Sequence, residues 1–151
     1  MTSETHSSGF VYEDDPEAPG WKRWWLPDAQ RYNAFLGPIS VKVEDGVARV
    51  RMRPEQRHSN LRGNVHGGAL LGFIDVALFA AARGFDVLSV AGAATVDLST
   101  QFIAGADLSK PVEARIELLR ETGRLLFLRG VIVQDTANIA SFLGTVRKAS
   151  K

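Results

Sequence analysis

Asp75 is the only charged residue between Gly67 and Ala82, inside the apolar run HGGALLGFIDVALFAAARG. On a helix its neighbours one turn away are Leu71, Gly72, Leu78 and Phe79. Burying a carboxylate without partners costs on the order of several kcal/mol, and Asp is a poor residue for a helix interior. Two readings fit. The carboxylate is functional, as a general base or a nucleophile, or it is a buried structural Asp bonded to backbone or to an arginine.

His66-Gly67-Gly68 opens the same run. A helix N-terminus presents free N–H groups and partial positive charge, and glycines let a ligand approach the backbone. Such an end suits a carbonyl oxygen that becomes negative during acyl transfer, although a glycine turn before a helix is also common. Gly67 and Asp75 lie eight residues apart, about 12 Å along a helix axis. A carboxylate and the carbonyl it serves must come within about 3 to 3.5 Å. If both groups act on one carbonyl, they belong to different subunits of a two-fold dimer with two equivalent composite sites.

The flanking elements must place these groups. The run from Gly67 is apolar on all sides and alanine-rich, which predicts a buried helix ending at Arg83-Gly84. Before it, Ile39, Val41 and Val43 alternate with polar residues, as do Ala48, Val50 and Met52, and Asp45-Gly46 between them signals a hairpin. Asp28 to Leu36 reads as a short helix capped by Asp28 and stopped by Gly37-Pro38. After it, alternation runs through 94–102, 112–118, 125–134 and 139–146, with turns at 121–124 and 135–138. A hairpin, one long helix and about four antiparallel strands predict an α+β domain. In it, a curved antiparallel sheet of five or six strands wraps one central helix.

Composition narrows the function. The 151-residue length suits a single domain, and a formal charge of +1 gives no reason to expect nucleic acid or an anionic membrane as partner. With no cysteine, thiolate nucleophiles and cysteine metal sites are excluded. His6, His58 and His66 form no metal-site spacing, so neither a metal nor a cofactor is expected, and His6 and His58 read as solvated loop residues. The N-terminus lacks a signal-peptide pattern, and Ala69 to Ala82 is too short to span a bilayer, so a cytoplasmic protein is expected. Residues 1–30 divide into a polar, flexible tail and a segment carrying Trp21, Trp24 and Trp25. That segment reads as an anchor on a surface or a neighbouring subunit, or as a ligand lid. The remaining domain spans 31–149.

Asn60-Leu61-Arg62-Gly63-Asn64-Val65-His66-Gly67-Gly68, with Asp75 following, resembles the hotdog-fold acyl-CoA thioesterases of the phenylacetate-pathway and hydroxybenzoyl-CoA type. Thr95 to Phe102 resembles that family's next strand and Gly123-Arg124 its late turn, so the likeness spans roughly Phe35 to Arg147. It implies hydrolysis of an acyl-CoA to free acid and CoA by a homodimer, or a dimer of dimers. It also implies Asp75 as nucleophile or base, with the Gly67 N–H polarising the carbonyl. Asn60 and His66 would shape that pocket, and the Thr95 hydroxyl would hold the attacking water. His66 has a plainer reading, as a residue bonded to Asn60 that holds the loop. The acyl pocket is expected near Gly68, Gly72, Phe73, Leu78 and Phe79. The CoA phosphates are expected against basic residues such as Arg62, Lys110, Arg124, Arg147 and Lys148. One departure stands out: many relatives carry a basic residue after the strand ending near Ile103, where this chain has Ala104-Gly105-Ala106-Asp107. The competing readings are a dehydratase or hydratase, which needs a histidine with an acidic partner, and a non-catalytic acyl-CoA-binding protein.

Overall fold

The computed structural model describes residues 4–5, 9–88 and 92–149. Its strands are β1 (Glu4–Thr5), β2 (Val11–Asp14), β3 (Lys22–Trp25), β4 (Ile39–Glu44), β5 (Val47–Met52), β6 (Ala94–Phe102), β7 (Val112–Glu121), β8 (Leu125–Gln134) and β9 (Ala137–Arg147). The helices are α1 (Tyr32–Leu36) and α2 (Gly67–Gly84). All strand pairs are antiparallel, in the order β1-β2-β3-β4-β5-β7-β8-β9-β6. A curved antiparallel sheet around one long helix is the hotdog fold expected from the sequence, with nine strands where five or six were expected.

The additional strands come from the N-terminal segment. Part of the stretch expected as a flexible tail instead forms β2, which pairs with β3 in the Trp-rich segment, and β3 docks on β4. Apolar burial explains the difference. Trp24 enters the core and stacks on Phe10 with ring centroids 4.4 Å apart. Trp21 is buried beneath Arg49 and Arg51, whose guanidinium carbons lie 5.1 and 4.2 Å from its ring. The tryptophans therefore anchor the segment to its own sheet. His6 lies outside the described residues.

On the same outer face, buried Glu113 accepts hydrogen bonds from Arg51 at 2.6 Å, Arg115 at 2.7 Å and Arg49 at 3.0 Å. Burial pushes its carboxyl up, but these three guanidinium groups outweigh that and hold it below the usual glutamate range.

Local chemistry matches most of the expected elements. Asp45 and Gly46 both take positive φ, 53° and 76°, as a tight hairpin turn between β4 and β5 requires. The first helix is shorter than its expected 28–36 span. Asp28 closes its own turn by accepting the Gln30 N–H at 3.0 Å, and α1 starts only at Tyr32. Helix α2 packs Leu70, Phe73, Ile74, Ala77, Leu78 and Ala81 into the core. Leu78 presses on the sheet at Gly144, where an added Cβ would come within 2.5 Å of its Cδ1.

Candidate functional site

The sequence suggested that α2 is covered all round; the structure leaves one stripe open. Gly68 and Leu71 are exposed, and Gly72, Asp75 and Phe79 are partly so. This spacing of three and four residues places them on one helix face. Asp75 therefore meets solvent at the middle of an otherwise apolar helix. Phe73 and Leu78, expected in the acyl pocket, are fully buried against the sheet, whereas Gly72 and Phe79 lie on the stripe.

Among the described residues the Asp75 carboxylate has one hydrogen bond, from the Thr95 hydroxyl at 2.6 Å, and none of the described arginines or lysines pairs with it. The resemblance gave the Thr95 hydroxyl a water to hold on the Asp75 side; here it bonds the carboxylate directly, where α2 passes β6. A carboxylate has about four lone-pair sites, so most of the acceptor capacity of Asp75 is unspent.

At the other end of α2, the His66 side chain is the N-cap. Its Nδ1 accepts the Gly68 N–H at 2.8 Å, so Nδ1 carries the lone pair and the neutral ring places its proton on Nε2. Asn60 staples the preceding loop separately, its Oδ1 accepting the Arg62 N–H at 2.9 Å and the Asn64 N–H at 3.0 Å. Asn60 and His66 thus hold neighbouring turns through separate bonds, in place of the direct bond suggested by sequence. The Gly67 N–H makes no hydrogen bond among the described residues and is a free first-turn donor. The Phe102 side chain flanks it, 3.7 Å from where a Gly67 Cβ would lie.

The free Gly67 N–H and the Asp75 carboxylate thus sit apart along α2, Gly67 beside Phe102 and Asp75 beside Thr95. Within one protomer they are separated by about 12 Å of helix. The two arginines divide the same way. Arg62 is exposed on the Gly67 loop, while Arg124 lies at the turn where β9 ends beside the start of β6. Of the other basic candidates, Lys110 is taken by Asp135 at 2.8 Å and Lys148 by Glu121 at 2.6 Å. His58, expected as a solvated loop residue, is buried; its Nδ1 accepts the Glu55 N–H at 2.9 Å and its Nε2 donates to the Phe35 carbonyl at 2.6 Å.

Sequence reasoning missed Phe102 beside Gly67 and Tyr32 over Gly72. Both were assigned to elements without a site role. The usable signal was the recurrence of small or apolar residues at 68, 71, 72 and 79 around the single acid.

β6 ends the sheet, bonded to β9 on one side and open on the other. Val96, Phe102 and Ile103 along it and Leu71 on α2 are large, exposed apolar side chains.

Residues 62–140 match the thioesterase superfamily. No curated protein matches the chain. Among solved structures it is similar to a variant of the phenylacetic acid degradation protein PaaI from Thermus thermophilus, at 25% identity and TM-score 0.61, over 76% of this chain and 96% of that one. It is also similar to the E. coli PaaI protein from the phenylacetic acid degradation operon, at 20% identity and TM-score 0.66, over 78% and 83%. A third is a hypothetical thioesterase protein from Streptococcus pneumoniae solved with coenzyme A, at 18% identity and TM-score 0.62, over 74% and 91%.

Proposed function

The chain belongs to the thioesterase superfamily, and from that premise we propose that it hydrolyses an acyl-CoA to a free acid and CoA, at sites shared between two subunits. The observation that carries this reading is the Asp75 carboxylate, open on its helix stripe and held by a single hydroxyl bond from Thr95.

The open edge of β6 supports the dimer. An open edge displays unpaired N–H and C=O groups that favour pairing with another strand. Antiparallel pairing of two β6 strands about a two-fold axis near Leu98 and Ser99 sets Thr95 opposite the partner's Phe102. The same operation brings Asp75 of one subunit toward the free Gly67 N–H of the other. It also joins the Arg124 end of one protomer to the Arg62 end of its twin, where CoA phosphates would need cations. Val96, Phe102, Ile103 and Leu71 are then covered.

In the reaction, the Gly67 N–H donates a hydrogen bond to the thioester oxygen as negative charge builds on it. Asp75 either attacks the carbonyl carbon to form an acyl anhydride that water then hydrolyses, or takes a proton from a water beside Thr95 as that water attacks the carbonyl carbon. The CoA thiolate leaves and takes a proton. His66 gives the pocket its Nε2–H and, through Nδ1, keeps the helix tip in shape. A hydratase would need a histidine paired with an acid, and the Nδ1 of His66 is used by its own helix.

The test is a screen of acyl-CoAs that detects free thiol, run beside Asp75→Asn. Turnover by the wild type, lost in a folded Asp75→Asn protein, is expected. Binding of CoA esters without hydrolysis would instead support a non-catalytic binder.

A further inference from the structure

Tyr32 is the first residue of α1, and its phenol lies on the open stripe of α2. A Cβ built on Gly72 would stand 1.9 Å from the Tyr32 hydroxyl oxygen and 3.0 Å from the ring carbon that bears it. Gly72 therefore leaves the space that Tyr32 fills. Gly72 precedes Asp75 by three residues, about 4.5 Å along the axis. The ring is 54% exposed, so it rises from the helix surface instead of lying within the core. Its hydroxyl makes no hydrogen bond among the described residues.

Tyr32 is held in place from behind. The buried His58 grips α1 through the Phe35 carbonyl and meets the Phe35 ring edge to face at 4.9 Å. Leu36 is buried, and the Tyr32 ring leans on Phe35 with centroids 6.0 Å apart. A five-residue helix would fray alone; this one is pinned at its C-terminal half, and that pinning aims its first residue at Gly72.

The two sides of Asp75 differ along the stripe. Toward the C-terminus stands Phe79. Toward the N-terminus, Gly72 and Gly68 have no side chains, and the Tyr32 phenol stands over Gly72, so the Tyr32 ring borders the acid on that side. We propose that Tyr32 is the specificity-determining wall of this enzyme, limiting the size of the acyl group that can lie beside Asp75. The inference rests on the thioesterase reading and names the feature that selects its substrate class: acyl groups short enough to end before the ring.

The experiment measures kcat/KM on straight-chain acyl-CoAs from acetyl to palmitoyl for the wild type, Tyr32→Ala and Tyr32→Phe, with thermal melts and size-exclusion chromatography on each. A half-exposed tyrosine can be truncated without opening the core, so all three should melt alike. The wild type should show a length beyond which kcat/KM falls. Tyr32→Ala should raise kcat/KM for the first excluded chain by about tenfold or more, the scale set by one methylene in an apolar pocket. Tyr32→Phe keeps the ring and should keep the limit. An unchanged limit in Tyr32→Ala overturns the inference, as does a Tyr32→Phe profile that matches Tyr32→Ala. A Tyr32→Ala protein that elutes as a smaller species assigns the residue to the subunit contact and overturns it too. A wild type inert on every acyl-CoA defeats the thioesterase reading first, and that outcome is distinguishable from the others.

Discussion

Two carboxylates in this molecule make an instructive pair. Glu113 lies buried on the outer face of the sheet with three arginines on it and Trp21 packed over two of them. Asp75 lies in an oily helix with one hydroxyl on it and solvent beside it. The first has its acceptor capacity consumed by the fold; its position is explained by the strands and strap it joins. The second is left under-coordinated at a place where an acid is costly. Partner count, more than burial, separates an acid that holds the structure from one free to react.

Substitution at each acid tests that contrast. Asp75→Ala and Asp75→Asn should lower kcat by about two to four orders of magnitude, the range for a positioned acid or base, with Tm within a few degrees of wild type. A large loss of Tm would place Asp75 with Glu113 as a structural acid. Glu113→Gln should do the reverse. Removing one partner of a buried ion cluster costs about 3 to 5 kcal/mol, or roughly 6 to 20 °C of Tm at this size. Turnover at low temperature should survive.

Subunit mixing sharpens the difference further. Asp75→Ala protein exchanged with subunits whose Gly67 carries a bulky residue should recover about one working site per mixed dimer. Absence of recovery despite proven exchange would count against a site built from two chains. Thr95→Ala removes the one bond on Asp75 and should lower kcat by about tenfold, near 1.4 kcal/mol, whereas Thr95→Ser should restore most of it.

The smallest effect is in acid. The Glu113 carboxyl is held below its ordinary value in the folded protein. Its contribution to stability is therefore present above the unfolded value, near 4.5, and is lost as pH falls through the folded one. Thermal melts from pH 6 to pH 3 should show a decline below about pH 4.5 that is shallower in Glu113→Gln.

The helix, the hairpin and the later strands were legible because their patterns are local: alternation, an Asp-Gly turn, a cap. Asp75 stood out for the same reason, as one acid among apolar residues. That Thr95 lies on the Asp75 side came through likeness to a family, whereas its direct bond to the carboxylate was not legible, since strand and helix meet only in the fold. The N-terminal strands were not legible. Val11–Asp14 and Lys22–Trp25 are short and polar, and they become strands because Trp21 and Trp24 find arginines and a core that the local sequence does not contain. Nor was the role of His58, whose two ring bonds reach Glu55 nearby and Phe35 far back along the chain. Whether α2 was covered on every side also depended on the reach of the sheet, which residue periodicity cannot report.

The unpaired side of β6 also bears on how the protein behaves at low concentration. If each reaction centre borrows its oxyanion donor from a neighbour, catalytic output per milligram is not constant. Dilution separates the chains by mass action, so specific activity should fall toward zero below the dissociation constant and rise again on concentration. Saturating product should resist that fall by bridging the halves. A separated chain would expose its apolar border and unpaired strand together, making dilute protein adsorptive and prone to clump.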